Sequence, residues 1–302
     1  RGLVLEKMGV GNPYDFAVIG SSDTHNAASG VSEDDYVSKL GLISADGKLR
    51  GSVPFAWWEG LAIKLATQDL VQTVDGKTYT GGALPTFGAS GLAGVWAEAN
   101  TREHIYQAFR RGETFATSGP RISLRFFAGS DFDDDMLKSN DVLAEAYKRG
   151  VTMGGHLTLQ DEQQPTFILW AMADANSAPL QRLQIIKGWI DDDGEVHEAV
   201  YDTACAGGVD VDPVTQRCPD NGANVDLSNC ELSASSGAAQ LRTVWRDPSY
   251  SQGQRAFYYA RVLENPSCRW STWDAIRAGL NPRPDFPATI QERAWSSAIQ
   301  VY

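Results

Sequence analysis

The stretch Tyr14-Asp15-Phe16-Ala17-Val18-Ile19-Gly20-Ser21-Ser22-Asp23-Thr24-His25-Asn26 decides how this chain is read. Its first half predicts a short buried strand, with Phe16, Val18 and Ile19 as the apolar content and Gly20 closing it. Its second half places polar groups just beyond that strand. Asp23 and His25 are two residues apart, so on an extended segment they project to one side and can reach one metal ion or two adjacent ones. A carboxylate oxygen and a neutral imidazole suit zinc, manganese or iron. The same residues also fit an ordinary strand-end turn, with Asp23 capping a loop amide and His25 as polar packing.

Downstream, residues 27–94 are irregular and rich in glycine, with a helix expected around Glu59–Val71 and a turn at Thr73–Tyr79. A loop-rich stretch of that length usually lines something. Asn100-Thr101-Arg102-Glu103, followed by His104, Ile105, Ala108 and Phe109, reads as a capped amphipathic helix with Gly112 past its end. That helix leads through Thr114–Arg121 into an alternating strand, residues 122–127. After the acidic run Asp131–Asp135 and a helical stretch to Gly150, the texture changes to strands separated by turns. Thr166–Ala173, Leu183–Trp189, Ala256–Leu263 and Ala294–Tyr302 predict an antiparallel sandwich.

Composition bounds the function. The chain has 302 residues, with 26 Lys+Arg against 38 Asp+Glu and a formal charge of −12. That balance argues against nucleic acid or an anionic membrane as partner, because both need dense Lys/Arg. A hydrophobic fraction of 42%, with 9 Trp, 10 Tyr and 11 Phe, is enough to bury a core. No apolar run is long enough for a transmembrane helix, so no membrane insertion is expected. The length is that of two domains. Because the chain opens at Arg1-Gly2-Leu3 without Met or a leader, a processed or truncated product is expected.

Cys205, Cys218, Cys230 and Cys268 form no Cys-x-x-Cys pair, which disfavours a closed zinc site. An even count around a Gly/Asp/Asn-rich loop predicts two disulfides and an oxidising compartment, periplasmic or extracellular; four reduced thiols are the alternative. Of the three connectivities, Cys218–Cys230 with Cys205–Cys268 is preferred. No Gly-x-Ser-x-Gly elbow exists: the surroundings of Ser90 and Ser118 lack its spacing, which disfavours a nucleophilic serine. His104, His156 and His197 read as structural. Asp191-Asp192-Asp193-Gly194-Glu195 reads as a hairpin turn, since its glycine is two positions early for an EF-hand loop.

Ile19–Asn26 resembles the last metal-binding motif of the polymerase-and-histidinol-phosphatase (PHP) metallohydrolases. Longer stretches resemble a bacterial branch catalogued as domain-of-unknown-function family thirty-six-zero-four. They are Gly91–Glu98, Asn100–Arg102, Arg111–Ile122, Glu264–Ser271 and Ile290–Ser297. The resemblance implies an α+β fold: the carboxyl-terminal portion of a distorted β/α barrel over residues 1–130, then a β-sandwich-like unit over residues 131–302 with a Cys-bearing insertion near 204–237. It further implies hydrolysis of a small phosphoester or related ester by a metal-bound water, with Asp23 and His25 as ligands to zinc, manganese or iron. The His-x-His pair of that family is absent here and the chain holds 4 His in all. The chain is therefore expected to be the carboxyl-terminal part of a hydrolase, with the remaining amino-terminal part as its partner and little activity by itself. Asn26, Arg102, Thr117, Ser118 and Arg121 are candidates for binding substrate oxygens. Turn capping for Asn26, Ser118 and Arg121 and an exposed helix start for Arg102 are the structural alternatives. A different functional class also fits: a non-catalytic sandwich that recognises carbohydrate or a protein partner through Trp57, Trp58, Trp170, Trp189, Trp245, Trp270 and Trp273, although Trp on strands is more often core.

Overall fold

The computed structural model describes residues 1–44, 46–81, 86–233 and 236–302; parts of the glycine-rich stretch (45 and 82–85) and of the Cys-bearing segment (234–235) lie outside the described residues. Helix α1 (Gly2–Lys7) is followed by irregular chain, then α2 (Gly47–Arg50) and α3 (Trp57–Ala66). The hairpin β1 (Val71–Val74) and β2 (Lys77–Thr80) comes next, turning through Asp75 and Gly76 at φ 47° and 72°. Strand β3 (Leu92–Val95), α4 (Arg102–Arg110), β4 (Thr114–Thr117) and β5 (Ser123–Gly129) complete the first part. Helix α5 (Val142–Arg149), β6 (Gly150–Thr152) and β7 (His156–Leu157) precede the long strands β8 (Thr166–Met172), β9 (Leu180–Ile190) and β10 (Val196–Cys205). Beyond the Cys-bearing segment lie β11 (Gln240–Arg246), β12 (Ala256–Glu264), β13 (Ser267–Cys268), α6 (Trp270–Arg277), β14 (Thr289–Ile290), β15 (Arg293–Ser296) and β16 (Ile299–Val301).

Two sheets face each other. The larger runs β10-β9-β12-β15-β4-β3, with β16 on β12 and β7 on β16; the smaller runs β11-β8-β5-β6. Period-two burial drives the pairing. On β12 the even positions Ala256, Tyr258, Ala260 and Val262 are all fully buried, and on β5 Leu124, Phe126 and Ala128 are as well. These inward positions meet Phe167, Leu169 and Ala171 of β8 in one core. Phe167 lies 4.6 Å from Tyr258 and 5.6 Å from Phe126, ring centre to ring centre, so aromatic contacts bridge the layers. The opposite face of the smaller sheet, through Phe127 and Ile168, is covered by Phe132, Met136, Val142 and Ala146 from the α5 segment.

The molecule is mixed α and β and mostly sheet, as expected, and among the described residues no strands close into a barrel. Strands from both sides of residue 130 share both sheets: β3 and β4 join the sheet of β9 and β12, and β5 sits between β8 and β6. The two predicted units therefore share one core.

Residues 14–20 differ from expectation. They form no strand, and Tyr14, Phe16 and Ile19 are 62%, 63% and 57% exposed. The backbone here is satisfied by side chains instead of a ladder: the Val18 amide donates to Ser297 Oγ at 3.0 Å and the Val18 carbonyl accepts from Thr114 Oγ1 at 2.8 Å. The segment still lies tight against β3. A Cβ on Gly20 would stand 2.3 Å from the Leu92 carbonyl oxygen, so only glycine fits there.

The preferred disulfide pairing is corrected. All four cysteines are bonded, but as Cys205–Cys218 and Cys230–Cys268, with Cα–Cα distances of 5.6 and 5.7 Å. After β10 the chain folds straight back: the Asp202 amide donates to the Gln216 carbonyl at 2.9 Å, and Asp202 Oδ2 accepts from the Cys218 amide at 2.7 Å. That return brings Cys218 to Cys205, leaving Cys230 for Cys268 at the end of β13.

Candidate functional site

The Asp-Thr-His motif sits in a tight loop. Asp23 adopts φ 51°, a left-handed conformation uncommon for aspartate, and Ala27 adopts φ 57°. The Asn26 side-chain carbonyl lies 2.6 Å from the Thr24 hydroxyl and accepts from the Ala28 amide at 3.0 Å, so Asn26 caps this turn. His25 Nδ1 lies 2.8 Å from the Asp23 carbonyl oxygen. The carbonyl can only accept, so Nδ1 carries a proton, and in the neutral ring the lone pair is on Nε2. The Asp23 carboxylate is exposed and pairs with Lys39 at 2.8 Å; that hydrogen bond and charge hold it below the usual carboxylate range.

Asp23 and His25 offer two donors, whereas a catalytic zinc site uses three protein ligands. Among the described residues no group of three or more His, Cys, Asp or Glu side chains is placed to hold a metal ion. The residues present thus fit part of a metal centre and not a whole one.

Contacts run from this loop into a buried acidic region. Lys39 Nζ lies 4.7 Å from the centre of the Phe87 ring, and the Phe87 carbonyl accepts from Trp270 Nε1 at 2.7 Å. The Trp270 amide donates to Glu33 Oε2 at 2.7 Å. Nearby, Glu292 accepts a short hydrogen bond from Ser118 Oγ, which itself accepts from the Arg293 amide at 2.8 Å. Glu264 accepts from Ser177 Oγ at 2.5 Å, and its second oxygen, Oε1, is buried with no hydrogen-bond partner among the described residues. Burial, aided by neighbouring negative charge, pushes Glu264 up to about 8 and Glu292 up to about 7: Glu292 and Asp174 act on Glu264, and Glu33 acts on Glu292. Glu33 is likewise raised, chiefly by burial.

The predicted substrate contacts do not gather in one place. Thr117 is buried at the end of β4, accepting from the Gly119 amide at 3.3 Å, and Ser118 is tied to Glu292. Arg102 is exposed at the start of α4, where Thr101 caps the helix by accepting from the His104 amide at 3.3 Å. Arg121 is exposed, and its amide donates to Asp174 Oδ2 at 2.7 Å. Among the described residues no hydrogen bond or ion pair joins either guanidinium to Asp23 or His25. The other three histidines have structural contacts: His104 Nδ1 lies 2.7 Å from Thr101 Oγ1, His156 lies 3.3 Å from Asp15, and His197 lies 2.7 Å from Asp191 in the β9–β10 hairpin.

The buried acids went unread in the sequence although the signal was present. Glu264 continues the even, inward positions of β12, and Glu292 precedes the inward Ala294 and Ser296 by the same period. Also unread was the outer face of the large sheet. There a groove of about 740 Å³ opens between residues 1–18 and the strands, floored by Phe257, Tyr259, Trp295 and Ala116. A Cβ on Gly188 would meet the Phe257 ring at 2.3 Å, so glycine keeps that floor flat.

No curated protein and no solved structure is detectably similar to this chain. Across residues 1–302 it matches the family described as protein of unknown function, DUF3604, and it belongs to that family.

Proposed function

We propose that this chain supplies two ligands, Asp23 and His25, to the metal centre of a PHP-like hydrolase acting on phosphoesters or related esters. The observation that carries this reading is the His25 ring. Its Nδ1 proton is engaged by the Asp23 carbonyl, the arrangement that fixes a metal-binding tautomer and presents Nε2. Asp23 lies beside it on a constrained loop, exposed, and ionised with help from Lys39. The missing donors would come from outside these 302 residues, from the amino-terminal part of the same protein. A metal held there would lower the pKa of a bound water toward neutrality. The disulfides are compatible with a periplasmic or extracellular site of action.

Metal content tests this directly. Purified protein carrying its amino-terminal part should hold zinc, manganese or iron by mass spectrometry, and Asp23→Ala or His25→Ala should lower the metal-to-protein ratio. Unchanged stoichiometry in both variants would remove these residues from the centre.

A second reading, ligand recognition by the sandwich, is favoured by the outer-face groove. Its volume of about 740 Å³ lies in the range of small-molecule sites, and its floor is largely aromatic.

A further inference from the structure

We infer that the outer face of the large sheet binds a small organic anion, one carrying a sulfate, phosphate or carboxylate group on a ring with an apolar face that can stack on aromatic side chains. This rests on the reading of the sandwich as a ligand-binding module and narrows its ligand class.

Strand register builds the surface. Leu263 of β12 pairs with Arg293 of β15 on one side and Arg182 of β9 on the other; two residues back, Arg261 pairs with Trp295 and with Gln184. Leu183, Val262 and Ala294 point into the core, so their neighbours Arg182, Arg261 and Arg293 all point outward. Residues two apart across paired strands stand about 7–8 Å from one another, within reach of a shared oxyanion. Arg217 of the Cys-bearing loop joins them, 3.6 Å from Asp202.

Charge balance separates a ligand site from a structural network. Asp202 is buried and pairs with Arg182 at 3.3 Å and with Arg217. Arg261 and Arg293 donate through Nε, to Gln184 Oε1 at 2.7 Å and to the Gln291 carbonyl at 2.9 Å. Those neutral acceptors orient each guanidinium without neutralising it. Among the described residues neither Arg261 nor Arg293 has a carboxylate in ion-pair contact. Burial lowers the Arg261 pKa, and the charges of Arg293 and Arg217 lower it too, against the opposing influence of Tyr259 and Asp202. Of the four guanidiniums, two share the Asp202 carboxylate, and Glu198 in the adjoining groove makes no ion pair with any of them among the described residues, so the local excess of positive charge is relieved by an anion.

The ring requirement comes from the adjoining groove. Trp295 lies directly opposite Arg261, and Tyr259 is two residues along β12 on the same outward side. Both line the groove together with Glu198, and the Arg293 guanidinium lies 6.0 Å from the centre of the Trp295 ring, so the cationic patch adjoins the aromatic floor. An aryl sulfate or sulfonate and an acidic sugar share this chemistry.

Isothermal titration calorimetry with naphthalene sulfonate, trigalacturonate, neutral naphthalenemethanol and inorganic sulfate distinguishes the outcomes. Either ring-bearing anion should bind at least about tenfold tighter than the neutral compound and than sulfate, with affinity falling as salt rises. Preference for naphthalene sulfonate identifies an aromatic anion as ligand, and preference for trigalacturonate an acidic sugar. Arg293→Gln and Arg261→Gln should each weaken binding about tenfold, while Arg110→Gln, which removes an equal charge on α4, should not. If Arg261→Gln fails to fold, Arg261→Lys keeps the charge, loses the planar fork and should still weaken binding. Equal binding of the neutral compound would overturn the anion inference and leave the ligand-binding reading standing. No binding of any ring compound at millimolar concentration would overturn both.

Discussion

Glu264 shows how a single residue sets a pH response. It is fully buried, one oxygen has no hydrogen-bond partner among the described residues, and burial pushes its pKa up to about 8, against an ordinary value of 4.5. Glu292, at about 7, behaves in the same way. A carboxyl group with a raised folded-state pKa binds its proton more tightly folded than unfolded. Its contribution is therefore intact below pH 4.5, is lost progressively as pH rises toward 8, and is an unfavourable buried charge above that. Thermal unfolding should accordingly occur at lower temperature at pH 9 than at pH 6. Glu264→Gln, which mimics the protonated acid, should flatten that decline and stabilise the protein at pH 9 by on the order of 1–3 kcal/mol. A melting temperature equally pH-dependent in Glu264→Gln would show that Glu264 is not the titrating group. The sequence marks this position only through strand parity: an inward even position is legible on β12, but the surroundings of an acid there depend on Ser177 arriving from the β8–β9 connection and Glu292 from the turn before β15.

At the scale of elements, the Cys-bearing segment is fastened twice. The Cys205–Cys218 bridge spans a sequence separation of 13 and the Cys230–Cys268 bridge one of 38. In the chain-entropy view these contribute about 3 and about 4 kcal/mol. Cys218→Ser paired with Cys205→Ser should cost less than Cys230→Ser paired with Cys268→Ser, measured by denaturant unfolding. Peptide mapping under non-reducing conditions should recover the Cys205–Cys218 and Cys230–Cys268 pairs, and thiol titration of denatured protein should find no free thiol. Sequence reading identified the four cysteines and the loop between them. It missed the pairing because that depends on the return of residues 212–218 along β10, held by the Asp202 carboxylate and not by cysteine spacing. The same limit applied to residues 14–20. Their apolar content matches a strand, yet Thr114 and Ser297, distant in sequence, take the backbone groups that a neighbouring strand would have used.

For the whole molecule, the shared core has a direct consequence. Residues 131–302 expressed alone would lack β5 from the middle of the smaller sheet and β3 and β4 from the end of the larger one. The loss removes Leu124, Phe126 and Phe115 from the core. Such a fragment should show no cooperative thermal transition by circular dichroism, whereas the 302-residue chain should unfold in one; a folded fragment would restore the boundary at residue 130.

The sequence by itself determined what local patterning and composition control. It marked β5 through alternation, β8, β9 and β12 as strands set between turns, α4 through its Thr101 cap, four cysteines poised for oxidation, an Asp23–His25 pair and the family. The tertiary structure alone decided that both halves of the chain enter the same two sheets and which cysteines meet. It also decided that Ser118 serves Glu292 and that Arg182, Arg261 and Arg293 share one face with Trp295. These outcomes depend on strand order and register between segments far apart in the chain. Period-two alternation states which side of a strand is inward but carries no information about which strand lies beside it.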